Sequence, residues 1–220
     1  KHNVFGNIGY YSKQPLFDAV YINFGNTLNP DLTNEKVFGL ELGYGFRSQY
    51  FNANVNIYRT SWADRFESDA VTFNRDTPEE IRGTANLLGI TQVHKGFEFD
   101  FYGRVGNKLR WNGMLSIGDW EYKDDITASY LDQDQNPIPG AEDAVLSLDG
   151  VKVGNAAQLT ASAGLDYQII DNLSVDATYR YADNLYADFD ATDALNNADF
   201  EVFELPSFGL LDLGASYGLD

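Results

Sequence analysis

Residues Glu35 to Trp62 read EKVFGLELGYGFRSQYFNANVNIYRTSW. Taken in twos, Phe38, Leu40, Leu42, Tyr44 and Phe46 fall on one side, with Val37, Gly39, Glu41, Gly43 and Gly45 on the other. After a break at Arg47 to Tyr50 the alternation resumes, with Phe51, Ala53, Val55 and Ile57 against Asn52, Asn54 and Asn56. Successive side chains of a strand point to opposite faces, so the stretch predicts a hairpin with one apolar and one polar face. Three asparagines and a glutamate among glycines are unlike the Lys, Glu and Thr of an ordinary solvent face. They suit a polar interior behind a wall whose other side meets lipid.

The same pattern recurs along the chain. His2 to Tyr11 alternates, and in Ile90 to Val105 the row Phe97, Phe99, Phe101 opposes Glu98, Asp100, Tyr102 and Arg104. Past the tight turn Gly106-Asn107-Lys108, Leu109, Trp111, Gly113, Leu115 and Ile117 oppose Arg110, Asn112, Met114 and Ser116. Trp120 and Tyr122 fall out of phase with that apolar row, which predicts a bulge or a strand leaving the membrane. Ala157 to Ile169 and Leu173 to Asp183 form a further hairpin, its polar side including Asp166, Asp176 and Arg180. Ser207 to Leu219 is a last strand, with Asp212 on its polar side.

This makes about eight strands in one domain, residues 1–220. Their connections alternate between very short and long, the long ones at about 12–34, 63–89, 123–156 and 184–206. A small apolar patch, Ala19 to Phe24, and the turn Asn29-Pro30-Asp31 lie in the first long connection. Connections usually run to about 4–6 residues. Short turns at one end and long loops at the other are the habit of transmembrane antiparallel β-barrels, with strands of about 10 residues. The fold class expected is therefore all-β, a membrane barrel.

Composition excludes several functions. The absence of cysteine removes disulfides, thiolate metal sites and a Cys nucleophile. A net charge of −18 argues against nucleic acid as a partner. No run of about 18 apolar residues offers a transmembrane helix, but alternate-residue burial in a barrel accommodates a mean hydropathy of −0.34. No G-x-S-x-G, P-loop or H-E-x-x-H occurs, and His2 and His94 read as solvated strand-end residues, so neither an enzyme nor a cofactor is expected.

Several stretches resemble one family: GNIGYYSKQPLFDAVY, NPDLTNEKVFGLELGYGF, NVNIYRTSWADRF, GITQVHKGFEFDFYGRV, VGNAAQLTASAGLDYQI, YRYADNLYADFD and LPSFGLLDLGASYG. Together, in this order, they resemble the C-terminal β-barrel portion of TonB-dependent outer-membrane receptors. The resemblance implies a 22-stranded barrel filled by the receptor's own N-terminal plug domain. It also implies import of a ferric siderophore or similar scarce nutrient, energised by the TonB complex acting through the plug. Outer-membrane lipid and the plug would be the partners, and the outer membrane of a Gram-negative bacterium the location. The sequence shows no plug, coupling segment or signal peptide and reads as part of a larger receptor. An eight-stranded closed barrel is the structural alternative. A structural or assembly barrel with no transported ligand is the functional alternative.

Candidate residues follow from the faces. Glu41, Asn52, Asn54, Asn56, Glu98, Asp100, Arg104, Arg110, Asp166, Asp176, Arg180 and Asp212 would line the lumen, as wall network or plug seat. Trp62, Trp120, Tyr122, Tyr130 and Tyr186 lie at outer strand ends or in loops. They fit an interfacial aromatic girdle or, alternatively, ligand stacking at the outer mouth. The loop Lys123 to Gly150 is acidic, including Glu142 and Asp143, and Asp132, Asp134 and Asn136 copy the first three positions of an EF-hand loop. Pro137 then stands where the invariant glycine belongs. A solvated acidic loop is the reading, with calcium binding as its alternative. The acidic connection 184–206 reads the same way.

Overall fold

The computed structural model describes residues 1–21, 25, 26, 28, 29, 32–141, 144–195 and 197–219. Parts of the patch Ala19 to Phe24 and of the turn Asn29 to Asp31, and the acidic residues Glu142 and Asp143, lie outside the described residues. The chain forms one antiparallel sheet: β1 (His2–Lys13), β2 (Glu35–Arg47), β3 (Phe51–Phe73), β4 (Ile81–Val105), β5 (Leu109–Lys123), β6 (Ile126–Asp132), β7 (Ala144–Leu146), β8 (Ala157–Ile170), β9 (Leu173–Tyr186), β10 (Glu204–Leu205) and β11 (Phe208–Tyr217). One short helix, α1 (Phe17–Val20), takes up Ala19 and Val20 of the apolar patch in the first long connection.

Eight long strands run in the order β1-β2-β3-β4-β5-β8-β9-β11, each paired with its neighbour. Among the described residues β1 and β11 do not pair, so the sheet is open and the eight-stranded closed barrel is overturned.

Register carries the architecture. Ile57 sits between Leu42 and Phe97, and Phe97 faces Ile117, which faces Leu159. One step along, Asn56 sits between Gly43 and Glu98. Through the middle of the sheet the pairings thus set apolar beside apolar and polar beside polar. Among the described residues no second sheet covers the apolar rows: Leu42, Ile57 and Leu165 are half exposed, and Leu211 and Leu213 more so.

Two strands overshoot. β3 has 23 residues and β4 has 25, about 80 Å for the latter at ~3.3 Å per residue. Residues 63–89, expected as a loop, are instead a continuation of this hairpin closed by a turn at 74–80. Register shifts near Arg65, with Asp64 and Gly89 both at positive φ, reset the alternation and hide the strand from a period-two reading. β5 shows no such shift opposite β4, so the bulge expected near Trp120 is absent. Trp120 and Tyr122 simply belong to the polar face.

The connection 123–156 also folds. β6 pairs with the β4 extension and with β7, and residues 151–153 run beside the end of β5. Gly83 permits the closest approach, since a Cβ there would lie 2.1 Å from the Leu131 carbonyl oxygen. Leu87, Ala128, Tyr130, Ile138, Leu146, Leu148, Phe189, Ala191 and Ala194 form a buried core between the two acidic connections. These loops are a packed cap; only their rims are solvated and acidic.

Removing the Leu146 side chain, which is fully buried, should cost ~2–5 kcal/mol of cap stability. Leu146→Ala should accelerate proteolysis within residues 126–146 while the eight long strands stay protected. Unchanged cleavage would contradict a packed cap.

Candidate functional site

The polar face reads strand by strand. Glu41 accepts a hydrogen bond from Asn7 Nδ2 at 2.8 Å, and Asp100 one from Asn54 Nδ2 at 2.9 Å. Asn52, Asn56 and Glu98 share this face by register. Among the described residues, no cation lies within ion-pair distance of Glu41, Glu98 or Asp100. Toward the short turns the face becomes mixed. Arg104 stands directly across from Arg110, and Asp166 across from Asp176. Arg110 bonds Asp166 at 2.9 Å, and Arg180 bonds Asp212 at 2.9 Å. Arg104 instead donates to the Gln49 carbonyl at 3.2 Å and lies over the Tyr50 ring.

At the other end of the face, under the cap, sits an aromatic and amide patch. Trp120 Nε1 donates to Tyr58 Oη at 3.0 Å, and the His94 ring stacks on Trp120 with centroids 5.2 Å apart. Gln158 clamps the Trp120 backbone, accepting from its N–H at 2.9 Å and donating to its carbonyl at 3.0 Å. Trp62 joins this face opposite Gln92. His94 is therefore no solvated strand end, and Trp62 and Trp120 are not girdle residues, because the apolar face lies behind them.

Tyr122 and Tyr130 are each 2% exposed. Tyr130 Oη donates to the Ala191 carbonyl at 2.7 Å, and burial pushes its hydroxyl up to about 12. Burial likewise pushes the Tyr122 hydroxyl upward. Both are core residues of the cap, so their expected role in ligand stacking or a girdle is corrected. Tyr186 stands half-buried at the end of β9, its carbonyl accepting from the Asn155 N–H at 3.0 Å.

A second aromatic cluster lies elsewhere. Phe46, Phe51, Phe101 and Trp111 interlock on the apolar face beside the short turns, Phe101 and Trp111 at 5.1 Å and Phe51 and Trp111 at 5.5 Å. Trp111 lies across Gly103, where any Cβ would meet the indole at 2.3 Å. Alternation placed these rings on the apolar face, but their clustering comes from cross-strand register.

A cleft of 370 Å³ opens where the polar face meets the cap, lined by Arg65, Glu67, Asp69, Gln92, Tyr122 and Asp188 among others. Glu67 pairs with Arg65 at 3.1 Å. Desolvation raises the Glu67 carboxyl, with Arg65 opposing and Asp188 and Asp69 adding to the rise. Desolvation also raises Asp69, reinforced by Asp188 and Asp190. The β3 alternation through Glu67 and Asp69 would have revealed both, had the bulge not broken the period.

Asp132 is committed to its own turn. Its carboxylate accepts from the backbone N–H groups of Asp134 at 2.9 Å and Asn136 at 2.8 Å, and these bonds hold its carboxyl below the usual range. Among the described residues no group of three His, Cys, Asp or Glu side chains is arranged to hold a metal ion. At Asp132, Asp134 and Asn136 these bonds form a capped β-turn.

Taken together, the surface offers hydrogen-bonding amides, aromatic faces and carboxylates. A family model described as TonB dependent receptor-like, beta-barrel matches residues 1–220. The chain belongs to the TonB-dependent receptor β-barrel family. That family is one of outer-membrane receptors and transporters rather than enzymes. Among solved structures, the copper transporter OprC superposes with a TM-score of 0.64 at 12% identity, covering 100% of this chain and 29% of that one. The FrpB iron transporter from Neisseria meningitidis (F3-3 variant) superposes with a TM-score of 0.57 at 18% identity, covering 99% and 30%. These likenesses show the fold. The chain spans less than a third of either relative's length. No curated protein sequence matches the chain.

Asp69→Asn should stabilise the cap at neutral pH, because it removes a carboxylate whose ionised form is disfavoured on folding. A raised folded-state pKa means stability is lost as pH rises from the unfolded value through the folded one. The gain should therefore be full at pH 7 and vanish below about pH 4. Equal unfolding midpoints for the two proteins at pH 7 would contradict this.

Proposed function

We propose that this chain is barrel wall from an outer-membrane importer of a scarce nutrient, a ferric siderophore or a similarly bulky ligand. The observation that carries the reading is a single sheet with one uncovered apolar face and one polar face, aligned across eight strands. The apolar face meets lipid and the polar face a lumen occupied by the receptor's own plug domain. Spans such as Phe97 to Val105 match the ~9–11 tilted residues a bilayer requires.

On this reading the wall divides its tasks by height. Glu41, Glu98 and Asp100, without cationic partners in the wall, seat basic side chains of the plug by charge complementarity. Arg104, Arg110 and Asp166 of the mixed row border a 510 Å³ hollow at the short-turn end, and the row lies against the plug's periplasmic side. There the TonB complex pulls on the plug. The cleft at Glu67, Asp69 and Asp188, with Trp62, His94 and Trp120 beneath it, faces arriving ligand. Its carboxylates disfavour anions, which supports a cargo that is neutral or cationic at its contact surface.

Ile57→Arg, on the apolar face, should cost ~2–4 kcal/mol in a bilayer near the midplane, and Asn54→Arg on the polar face far less. Equal penalties, read from urea unfolding of the full-length receptor in vesicles, would contradict the assigned facing. Growth of a deletion strain, with and without the full-length gene, on candidate iron and other nutrient sources tests import itself. Loss of growth on one source, restored by the gene, is expected. Growth unchanged on all sources would favour a structural barrel that transports nothing.

A further inference from the structure

At the short-turn end of the polar face, charges stand in an order that a sheet does not favour. Arg104 on β4 lies across from Arg110 on β5, and Asp166 on β8 across from Asp176 on β9. Like charges directly opposite one another destabilise a sheet. Only the inner two relieve each other, through the bond of Arg110 to Asp166 at 2.9 Å. Lys108, in the turn before β5, adds to the positive side, and Asp171, in the turn between β8 and β9, to the negative side. Among the described residues Arg104, Lys108, Asp171 and Asp176 have no ion-pair partner. One hairpin end is therefore positive and its neighbour negative. Between them lies the 510 Å³ hollow, with Arg104, Arg110, Asp166 and Asp171 in its lining. Its volume is that of a small-molecule site, about 300–1,000 Å³. It runs past the charged row to Asn107 and Asn172 in the turns, so it opens at the rim of the wall.

We infer that this hollow binds a short peptide carrying both a free carboxylate and a free ammonium group. Charge complementarity selects the occupant. The carboxylate docks on Arg104 and Arg110, whose planar forks suit it, and the ammonium on Asp166 and Asp171. A simple anion would leave the carboxylates of the hollow unanswered, and a simple cation its guanidinium groups. Strand spacing sets the length. Neighbouring strands lie about 4.8 Å apart, so the midline of the β4–β5 hairpin is about 10 Å from that of β8–β9. Three extended residues, at about 3.3–3.6 Å each, cover that distance. Parts of the site are held before any ligand arrives. Arg104 Nε donates to the Gln49 carbonyl at 3.2 Å, and Gln168 Nε2 donates to the Asp171 carbonyl at 3.0 Å. The Gly218 N–H donates to the Asn172 carbonyl at 2.9 Å, tying the end of β11 to the β8–β9 turn. Such preorganisation lowers the entropy lost on binding. The membrane reading above supplies only the compartment: short turns face the periplasm, and the peptide would come from there.

Isothermal titration calorimetry of the full-length receptor in nanodiscs, with trialanine as the probe, tests this. Trialanine should bind, and its N-acetyl and C-terminal amide forms should each bind at least about tenfold more weakly. Arg104→Gln should weaken trialanine several-fold and leave the amide form unchanged. Asp171→Asn should weaken trialanine likewise and leave the N-acetyl form unchanged. Glu79→Gln, in the turn at the far end of the β3–β4 hairpin, should alter none of the three. No binding of trialanine to a receptor that enters nanodiscs would overturn this proposal while sparing the membrane reading. Failure to enter bilayers would overturn that reading, and the same titration in detergent would still decide this one. Trialanine binding that neither Arg104→Gln nor Asp171→Asn weakens would place the peptide elsewhere and overturn the assignment. Equal affinity for trialanine and its N-acetyl form would give the hollow to the C-terminal tail of a partner protein and overturn the free-peptide assignment.

Discussion

The structure depends on one constraint, the in-register meeting of like faces across the pairings of the long strands. A strand's side chains alternate with a period of two, so a slip of one residue would carry a whole apolar row to the wrong side. The rows from Val4 and Tyr44 through Val55, Phe99, Leu115, Ala161 and Tyr181 hold that register over seven strands. Packing against a second layer would ordinarily justify such strict separation, yet no layer covers this sheet. On the proposed membrane reading two different solvents supply the reason: hydrocarbon on one side, and water with protein on the other.

The cap obeys the opposite rule. It has a buried core of aliphatic and aromatic side chains in the manner of a water-soluble domain, and it stands on the β3–β4 hairpin where that hairpin outruns the apolar band. Both acidic connections contribute to it, tied by the Tyr130 bond to Ala191 and by the pairing of Leu146 with Leu195. A rigid cap fixes the cleft of Glu67, Asp69 and Asp188 above the Trp120, His94, Tyr58 cluster. The carboxylates of this cleft are partly desolvated at the junction of sheet and cap, where electrostatics are strengthened.

Much of the sheet was legible from alternation alone, because Phe97 to Val105 and Leu109 to Ile117 are uninterrupted and their turn, Gly106-Asn107-Lys108, is short. The β3–β4 extension was hidden by left-handed residues at Asp64 and Gly89, which shift phase without an apolar or polar signal. The cap was hidden for another reason. Its contacts join residues as far as 61 apart, as in Tyr130 and Ala191, and no local pattern encodes them. Trp120 was mistaken for an interfacial residue because its indole is large and apolar; its parity, the same as Arg110 and Asn112, pointed to the polar face. Tyr122 and Tyr130 show the converse, since an aromatic in an acidic loop can be core when a second loop closes over it.

The two-solvent claim is tested most directly by single cysteines at residues 52 to 57, to which residues 1–220 add no cysteine of their own. Each would carry a small fluorophore in the full-length receptor, reconstituted in bilayers with brominated lipid or with aqueous iodide as quencher. Brominated chains should quench Ala53→Cys, Val55→Cys and Ile57→Cys strongly and Asn52→Cys, Asn54→Cys and Asn56→Cys weakly. Quenching by lipid without a period of two, or strongest at the asparagine positions, would contradict the account.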